Sequence, residues 1–240
     1  MPRWWADQVA VLARELARQP DLPSTLNAIV GHASRSIEGA EFAAITVTGP
    51  SGIVFRTIAS SDDLAMQVDQ IQYDSGEGPC LSALAEGLTI RSDDIATDPR
   101  WPQFGPAAHD LTGVMSMLSH PLALEEDDTL GGLNLYSKRP AAFDWDSASD
   151  LTVLATHSAI AIARAGAHER SQHLQQALES NRTIGIAIGI LMNKHLITRE
   201  QAFDALRVAS QHGHRKLIDI ATDVIESGQL VLPPRSPLNH

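Results

Sequence analysis

Apolar positions recur along this chain with two different periods, and each change of period marks a change of structure. From Trp4 to Gln19, Trp5, Val9, Leu12 and Leu16 fall at helical spacing, and a second helix is predicted after Pro23 with Leu26, Ile29 and Val30 on one side. The helical period then stops. Glu41–Gly49 and Gly52–Ser60 are rich in β-branched residues and meet through Gly-Pro-Ser-Gly, the pattern of a β-hairpin. Asp62 is placed to cap a short helix bearing Leu64, Met66, Val68 and Ile71. Ser75–Gly87 follows, with Pro79 suited to a first helical position and Gly87 to a helical stop. Further strands are predicted at Leu88–Ser92, Val114–Leu124 and Leu130–Ser137, with a short helix around Trp101–Asp110. The acidic loop Glu125–Asp128 joins the last two strands. These elements make an α+β domain of roughly 145 residues, an antiparallel sheet of about five strands flanked by helices.

The remaining chain reads as helix throughout. Asp144 caps a long helix with Leu151, Leu154, Ser158, Ala161 and Ile162 inward, and no proline interrupts it between Asp146 and Lys194. His168–Gln176 is a solvated stretch between two apolar sections, after which Leu174, Leu178, Ile184, Ile188 and Leu191 continue the stripe. Helical periodicity sustained beyond about 25 residues favours a coiled coil or bundle between subunits, so a homodimer joined through this connector is expected. Gly185 and Gly189 fall inside that helix, where close packing against another helix would offset their poor propensity. Thr198-x-x-Gln201 is a capping-box pattern; Ala202, Phe203, Leu206 and Ala209 then line a face that places Phe203 in the core, and Gly213 ends the helix. Leu217, Ile220, Ala221, Val224 and Ile225 mark an amphipathic helix closed by Gly228. The tail Pro-Pro-Arg-Ser-Pro-Leu-Asn-His has the composition of a disordered segment.

Charge divides the chain in the same place. Residues 1–170 hold 11 Lys/Arg against 23 Asp/Glu, whereas residues 171–240 hold 7 against 6 and five of the ten histidines. The first part repels nucleic acid and the second can approach it. A single cysteine, Cys80, excludes an internal disulfide framework and any multi-thiolate metal site, which points to a reducing, cytoplasmic setting. No apolar run reaches the roughly 18–20 residues of a membrane span, and the N-terminus lacks the apolar core and small-residue cleavage site of a secretory signal.

Two resemblances stand on particular residues. Ala177-Leu-Glu-Ser-Asn-Arg182, Ile184-Gly-Ile-Ala-Ile-Gly-Ile-Leu-Met192, Ala202-Phe-x-x-Leu-Arg207-x-x-Ser210, Arg215-Lys-Leu and Ile220-Ala resemble the ANTAR domain, the RNA-binding output module of bacterial transcription antitermination regulators. Gly76-Glu-Gly-Pro-Cys80, Ala83-Leu, Trp101-Pro, Pro121-Leu, Gly132-x-Leu-Asn-Leu-Tyr136 and Ala142-Phe resemble a GAF sensor domain. The resemblance implies an N-terminal helix over 1–22, a GAF domain over 23–165, a helical connector over 166–176, an ANTAR three-helix bundle over 177–230 and a tail over 231–240. It further implies a signal-responsive regulator whose dimeric ANTAR unit binds paired hairpins in nascent leader RNA and so prevents a terminator hairpin from forming. The dimer would form through the connector and the first ANTAR helix, and a small molecule or protein partner would act at the GAF domain.

For RNA contact the expected residues are Arg182, Lys194, Arg199, Arg207, Ser210, His214, Arg215 and Lys216, because phosphate and splayed bases call for cations, hydrogen-bond donors and stacking planes. Arg215 and Lys216 open the last helix, whose free backbone N–H groups also favour an anion. His214 stands where relatives often carry asparagine. Those same cations would also serve as an ordinary solvated face paired with Glu179, Asp204 or Asp219. In the sensor, Cys80, His120 and Tyr136 are the candidate ligand contacts, although Cys80 reads better as a buried, inert thiol. Ser75–Pro79 reads as a turn rather than a phosphate cradle, for it lacks the lysine and spacing of a P-loop. No nucleophile–base motif argues for catalysis, and no carboxylate pair stands at metal-ligand spacing from His109 or His120; no cofactor is expected. A DNA-binding helical module and a protein-recruiting tail are the alternatives. Against DNA, Leu217–Ser227 carries Asp219, Asp223 and Glu226 and no positive charge, unlike a recognition helix.

Overall fold

The computed structural model describes residues 3–48, 55–124 and 129–230, divided between two units, Met1–Glu169 and Arg170–His240. The expected hairpin turn, the acidic loop and the tail lie outside the described residues. So do the side chains of Trp5 and Val9.

Helix α1 (Arg3–Ala17) buries Leu12 and Leu16. Helix α2 (Leu22–Ser36) starts where Asp21 Oδ1 accepts the Ser24 N–H at 2.8 Å and Pro23 occupies the first turn. Five strands follow as expected: β1 (Phe42–Thr48), β2 (Phe55–Ser60), β3 (Ile90–Ser92), β4 (Ser116–Ala123) and β5 (Thr129–Ser137). They form one antiparallel sheet in the order β2-β1-β5-β4-β3. Helices α3 (Asp63–Ser75), α4 (Pro79–Glu86) and α5 (Phe104–Thr112) connect β2 to β3 and β3 to β4.

Side chains alternate across a pleated sheet, and here the alternation feeds two cores. Ala43, Ile45, Leu118, Leu122, Leu133 and Leu135 pack with α1, α2 and Leu151, Leu154 and Ala155. Ala44, Met117 and Tyr136 pack with Val68 of α3, Ala83 of α4 and Phe104 and Ala108 of α5. Each Leu or Ile fully removed from water contributes roughly 1.5–3 kcal/mol, so both faces must stay covered. The apolar residues that α3 bears are not all inward. Val68 is buried and Ile71 half-buried, but Met66 is exposed and the buried face is Ala65, Val68, Asp69 and Gln72. Polar residues take half of that face because the sheet opposite them is itself polar.

Helix α6 (Trp145–His195) runs for 51 residues. Asp144 Oδ1 accepts the Ser147 N–H at 2.8 Å at its start. No helix among the described residues is long and apolar enough to cross a membrane.

In the second unit the end of α6 packs with α7 (Arg199–Gly213) and α8 (Leu217–Ser227). Ala187, Ile188, Leu191, Ala202, Leu206, Ala209, Ile220, Ala221 and Val224 form the core. The capping box forms in full, the Thr198 hydroxyl accepting the Gln201 N–H and the Gln201 side chain accepting the Thr198 N–H. Three expectations fail here. Phe203 is 40% exposed: the inward stripe is Ala202–Leu206–Ala209, and one residue further round turns about 100° away from it. Ile225 is exposed for the same reason, one step past Val224. Helix α7 does end at Gly213, and the left-handed cap that follows is His214, at φ 47°. Finally, a Cβ built on Gly185 or Gly189 would meet nothing within 4 Å, so neither glycine serves close helix packing among the described residues.

Candidate nucleic-acid interface

The expected RNA-contact residues separate into three groups. Some are structural. Lys194 Nζ donates to the Gly228 carbonyl at 2.9 Å and ties the end of α6 to the end of α8. Ser210 Oγ donates to the Arg215 carbonyl at 2.6 Å, and the His214 and Arg215 N–H groups return to the last carbonyls of α7. Histidine and asparagine are both enriched in the left-handed conformation that His214 adopts, so the residue here answers to the backbone as much as to a ligand.

A second group is exposed but paired with acids. Arg207 meets Asp204 at 3.0 Å and Arg215 meets Asp223 at 2.6 Å, all four side chains roughly half exposed or more. The Arg215 guanidinium holds the Asp223 carboxyl below the usual carboxylate range. Surface pairs of this kind contribute about 0–1 kcal/mol, so an incoming phosphate can take either guanidinium at small cost. The third group, Arg182, Arg199 and Lys216, is exposed, and the side chains make no ion pair or hydrogen bond among the described residues. Lys216 is the N-cap of α8, and no side chain caps the backbone N–H groups that follow it.

Arg199, Phe203 and Arg207 share one exposed face of α7, each one turn from the next. Arg199, Glu200 and Phe203 border an open cavity of 510 Å³ with Asn181, Ile184 and Gly185 of α6. Asn181, Glu200 and Phe203 escaped sequence reading, and Phe203 did so because helical spacing alone assigned it to the core.

In the first unit the structure brings Cys80 and Tyr136 together and sets His120 apart. On β4, His120 shares a face with Leu118 and Leu122, opposite that of Tyr136. Its Nδ1 pairs with Thr89 Oγ1 at 2.6 Å, and burial pushes the imidazole down to about 4. Tyr136 and Cys80 instead border Asp69, which is fully buried. The Asp69 carboxyl accepts from Tyr136 Oη, from Asn134 Nδ2 and Gln72 Nε2 at 3.1 Å, and from Thr57 Oγ1 at 2.7 Å. Tyr73 Oη links Thr46 and Thr57 at 2.8 and 2.9 Å. Burial pushes Asp69 up to about 6 against those hydrogen bonds, and burial together with the nearby Asp69 charge pushes the Cys80 thiol up to about 12. A protonated thiol is a poor nucleophile.

The Gly-rich turn serves this centre. Gln72 Oε1 accepts the Cys80 N–H at 2.9 Å at the start of α4, and a Cβ at Gly78, whose φ is +140°, would strike that same oxygen. Asp69 and Gln72 sit at i+4 and i+7 from Ala65; polar residues at core spacing were the signal that could have found this cluster. Among the described residues no group of three or more His, Cys, Asp and Glu is arranged to hold a metal ion.

Comparisons agree with this division. A GAF domain model matches residues 19–163 and an ANTAR domain model residues 172–225. The fold is similar to the GAF domain of a phosphoenolpyruvate-protein phosphotransferase from Acinetobacter, at 16% identity and a TM-score of 0.55 over 71% of this chain and 99% of that one. It is similar to the corresponding domain from Coxiella burnetii at 18% identity and a TM-score of 0.55, over 69% of this chain and 96% of that one. A bacteriophytochrome from R. palustris matches at 12% identity and a TM-score of 0.56, over 86% of this chain and 48% of that one. No curated protein matches the chain. At these identities the structural likenesses establish the fold alone. A GAF domain is a sensor module and an ANTAR domain an RNA-binding antitermination module; both are regulatory. The chain belongs to the GAF domain family and carries an ANTAR domain after it.

Proposed function

We propose that this protein is a cytoplasmic, signal-responsive regulator that binds paired hairpins in nascent leader RNA and thereby prevents transcription termination. The observation that carries the reading is the ANTAR match over residues 172–225, on a unit whose Arg182, Arg199 and Lys216 heads are exposed and unpaired among the described residues. Those three supply phosphate contacts directly, and Arg207 and Arg215 add theirs by exchanging an aspartate for a phosphate. Two copies join along α6, where Leu174 and Leu178 are exposed, so that each ANTAR unit takes one hairpin. A small molecule or a protein partner acts on the GAF domain, and the response is a shift in population between arrangements of the α6 pair.

Filter retention of a two-hairpin RNA, with duplex DNA as competitor, tests this. Retention of the RNA over the duplex is expected, with affinity falling steeply as salt rises. Arg199→Ala/Lys216→Ala is expected to weaken binding and flatten the salt slope by about 0.7 for each single-strand phosphate that the variant no longer neutralises. Equal retention of duplex DNA would instead indicate a general nucleic-acid binder. A protein-recruiting output is the second reading, favoured by the acid pairing of Arg207 and Arg215; it requires that no nucleic acid be retained.

A further inference from the structure

We infer that the Arg199–Phe203–Arg207 face of α7, with Asn181 and Glu200 beside it, is a socket for one unpaired base of the RNA. This rests on the RNA-binding reading and adds to it which group of the RNA enters the protein and what receives it. Phe203 is the only Phe, Tyr or Trp in residues 170–240, and the unit exposes its ring while building the core from alanine, leucine, isoleucine and valine. The ring borders a cavity of 510 Å³, within the ~300–1,000 Å³ range of small-molecule clefts. Across the cavity stands Gly185, unfavourable in mid-helix, with nothing of the chain packed where its Cβ would be.

The chemistry of the lining selects the occupant. Among the lining residues, Arg199 and Glu200 carry formal charges that cancel, which suits a neutral heteroaromatic ring. A base stacks on an aromatic face or a guanidinium plane, and its edge is read by amide and carboxylate groups. Phe203 offers the plane; the Asn181 amide offers a donor and an acceptor, and Glu200 an acceptor for an exocyclic amine. An apolar helix from a second copy would instead strip water from those two charges without replacing it.

The test takes the tightest binder from a pool of two-hairpin RNAs with randomised loops, then places an abasic site at each loop position in turn. The full-length protein is compared with Phe203→Leu and Phe203→Trp. Phe203→Leu is expected to weaken binding about fivefold to a hundredfold, the range of one base–aromatic stack, and Phe203→Trp to retain it. One abasic position should weaken the wild type and cost the Leu variant nothing further, while both keep the same salt slope. Thermal melting checks that the exposed ring is not needed for folding. A Leu variant that binds like the wild type, or that suffers the same abasic penalties, overturns the socket and leaves the RNA reading intact. A wild type that retains no RNA over duplex DNA overturns both. A Leu variant that sediments as a smaller particle yet keeps every abasic penalty makes the ring a contact between copies, which also overturns it.

Discussion

Asp69 holds its carboxyl at the centre of the GAF domain among hydroxyls and amides, with no cation beside it among the described residues. A raised folded pKa has a definite sign. Between the ordinary 3.8 and about 6 the native state keeps a proton that the unfolded chain has released. Stability from this group is therefore fully present below about pH 4 and lost as pH rises through about 6. Asp69→Asn cannot titrate, so the wild type should gain stability relative to the variant as pH falls from 7 to 4.5 in guanidinium denaturation. A difference that stays constant over that range would place the carboxyl's proton elsewhere. Gly185 gives a prediction of opposite kind. Alanine there meets open space, so Gly185→Ala should stabilise the ANTAR unit by about 1 kcal/mol in thermal melts.

Single residues also show what the sequence could and could not disclose. Leu118, Leu133 and Leu135 declared their strands through alternation and type, because burial on a pleated surface selects both. Phe203 did not declare its exposure, because a ring next to the inward stripe and a ring within it share the same helical period. Only the width of the stripe separates them, and that is set by how closely alanines such as Ala187, Ala202 and Ala221 let the helices approach. Asp69 and Gln72 were legible only as polar residues at core spacing. Their partners Thr46, Asn134 and Tyr136 come from strands distant in sequence, which no local pattern brings together.

At the scale of elements, the local rules of helix ends decide most boundaries. Asp21, Asp62 and Asp144 accept first-turn N–H groups, and Gly76, Gly87, Gly113 and Gly228 take left-handed caps. Helix α7 depends on its capping box more than most, since its buried face is narrow. Thr198→Ala should cost about 0.5–2 kcal/mol and lower the melting transition of the ANTAR unit while leaving that of the GAF domain unchanged; a common shift in both would show that the two melt as one. Helix α6 raises the opposite question, for its middle exposes Leu174 and Leu178. With these as the seam between copies, Leu178→Glu should convert a dimer into a monomer in sedimentation velocity. An unchanged particle mass would move the dimer contact off this stretch.

For the whole molecule, the net charge of −11 divides into −12 over residues 1–170 and +1 over residues 171–240, and the RNA-binding unit works with exposed arginines and a lysine rather than a basic field. That balance favours a modest, loop-directed grip over indiscriminate adhesion to nucleic acid, and it lets a change in the α6 pair alter binding without a large electrostatic cost. The most direct measurement is single-round transcription across an intrinsic terminator preceded by the tightest-binding hairpin pair. Read-through should rise with protein concentration on that template and stay at its basal level when one hairpin is deleted. Bound RNA with termination unaltered on both templates would contradict an antitermination role.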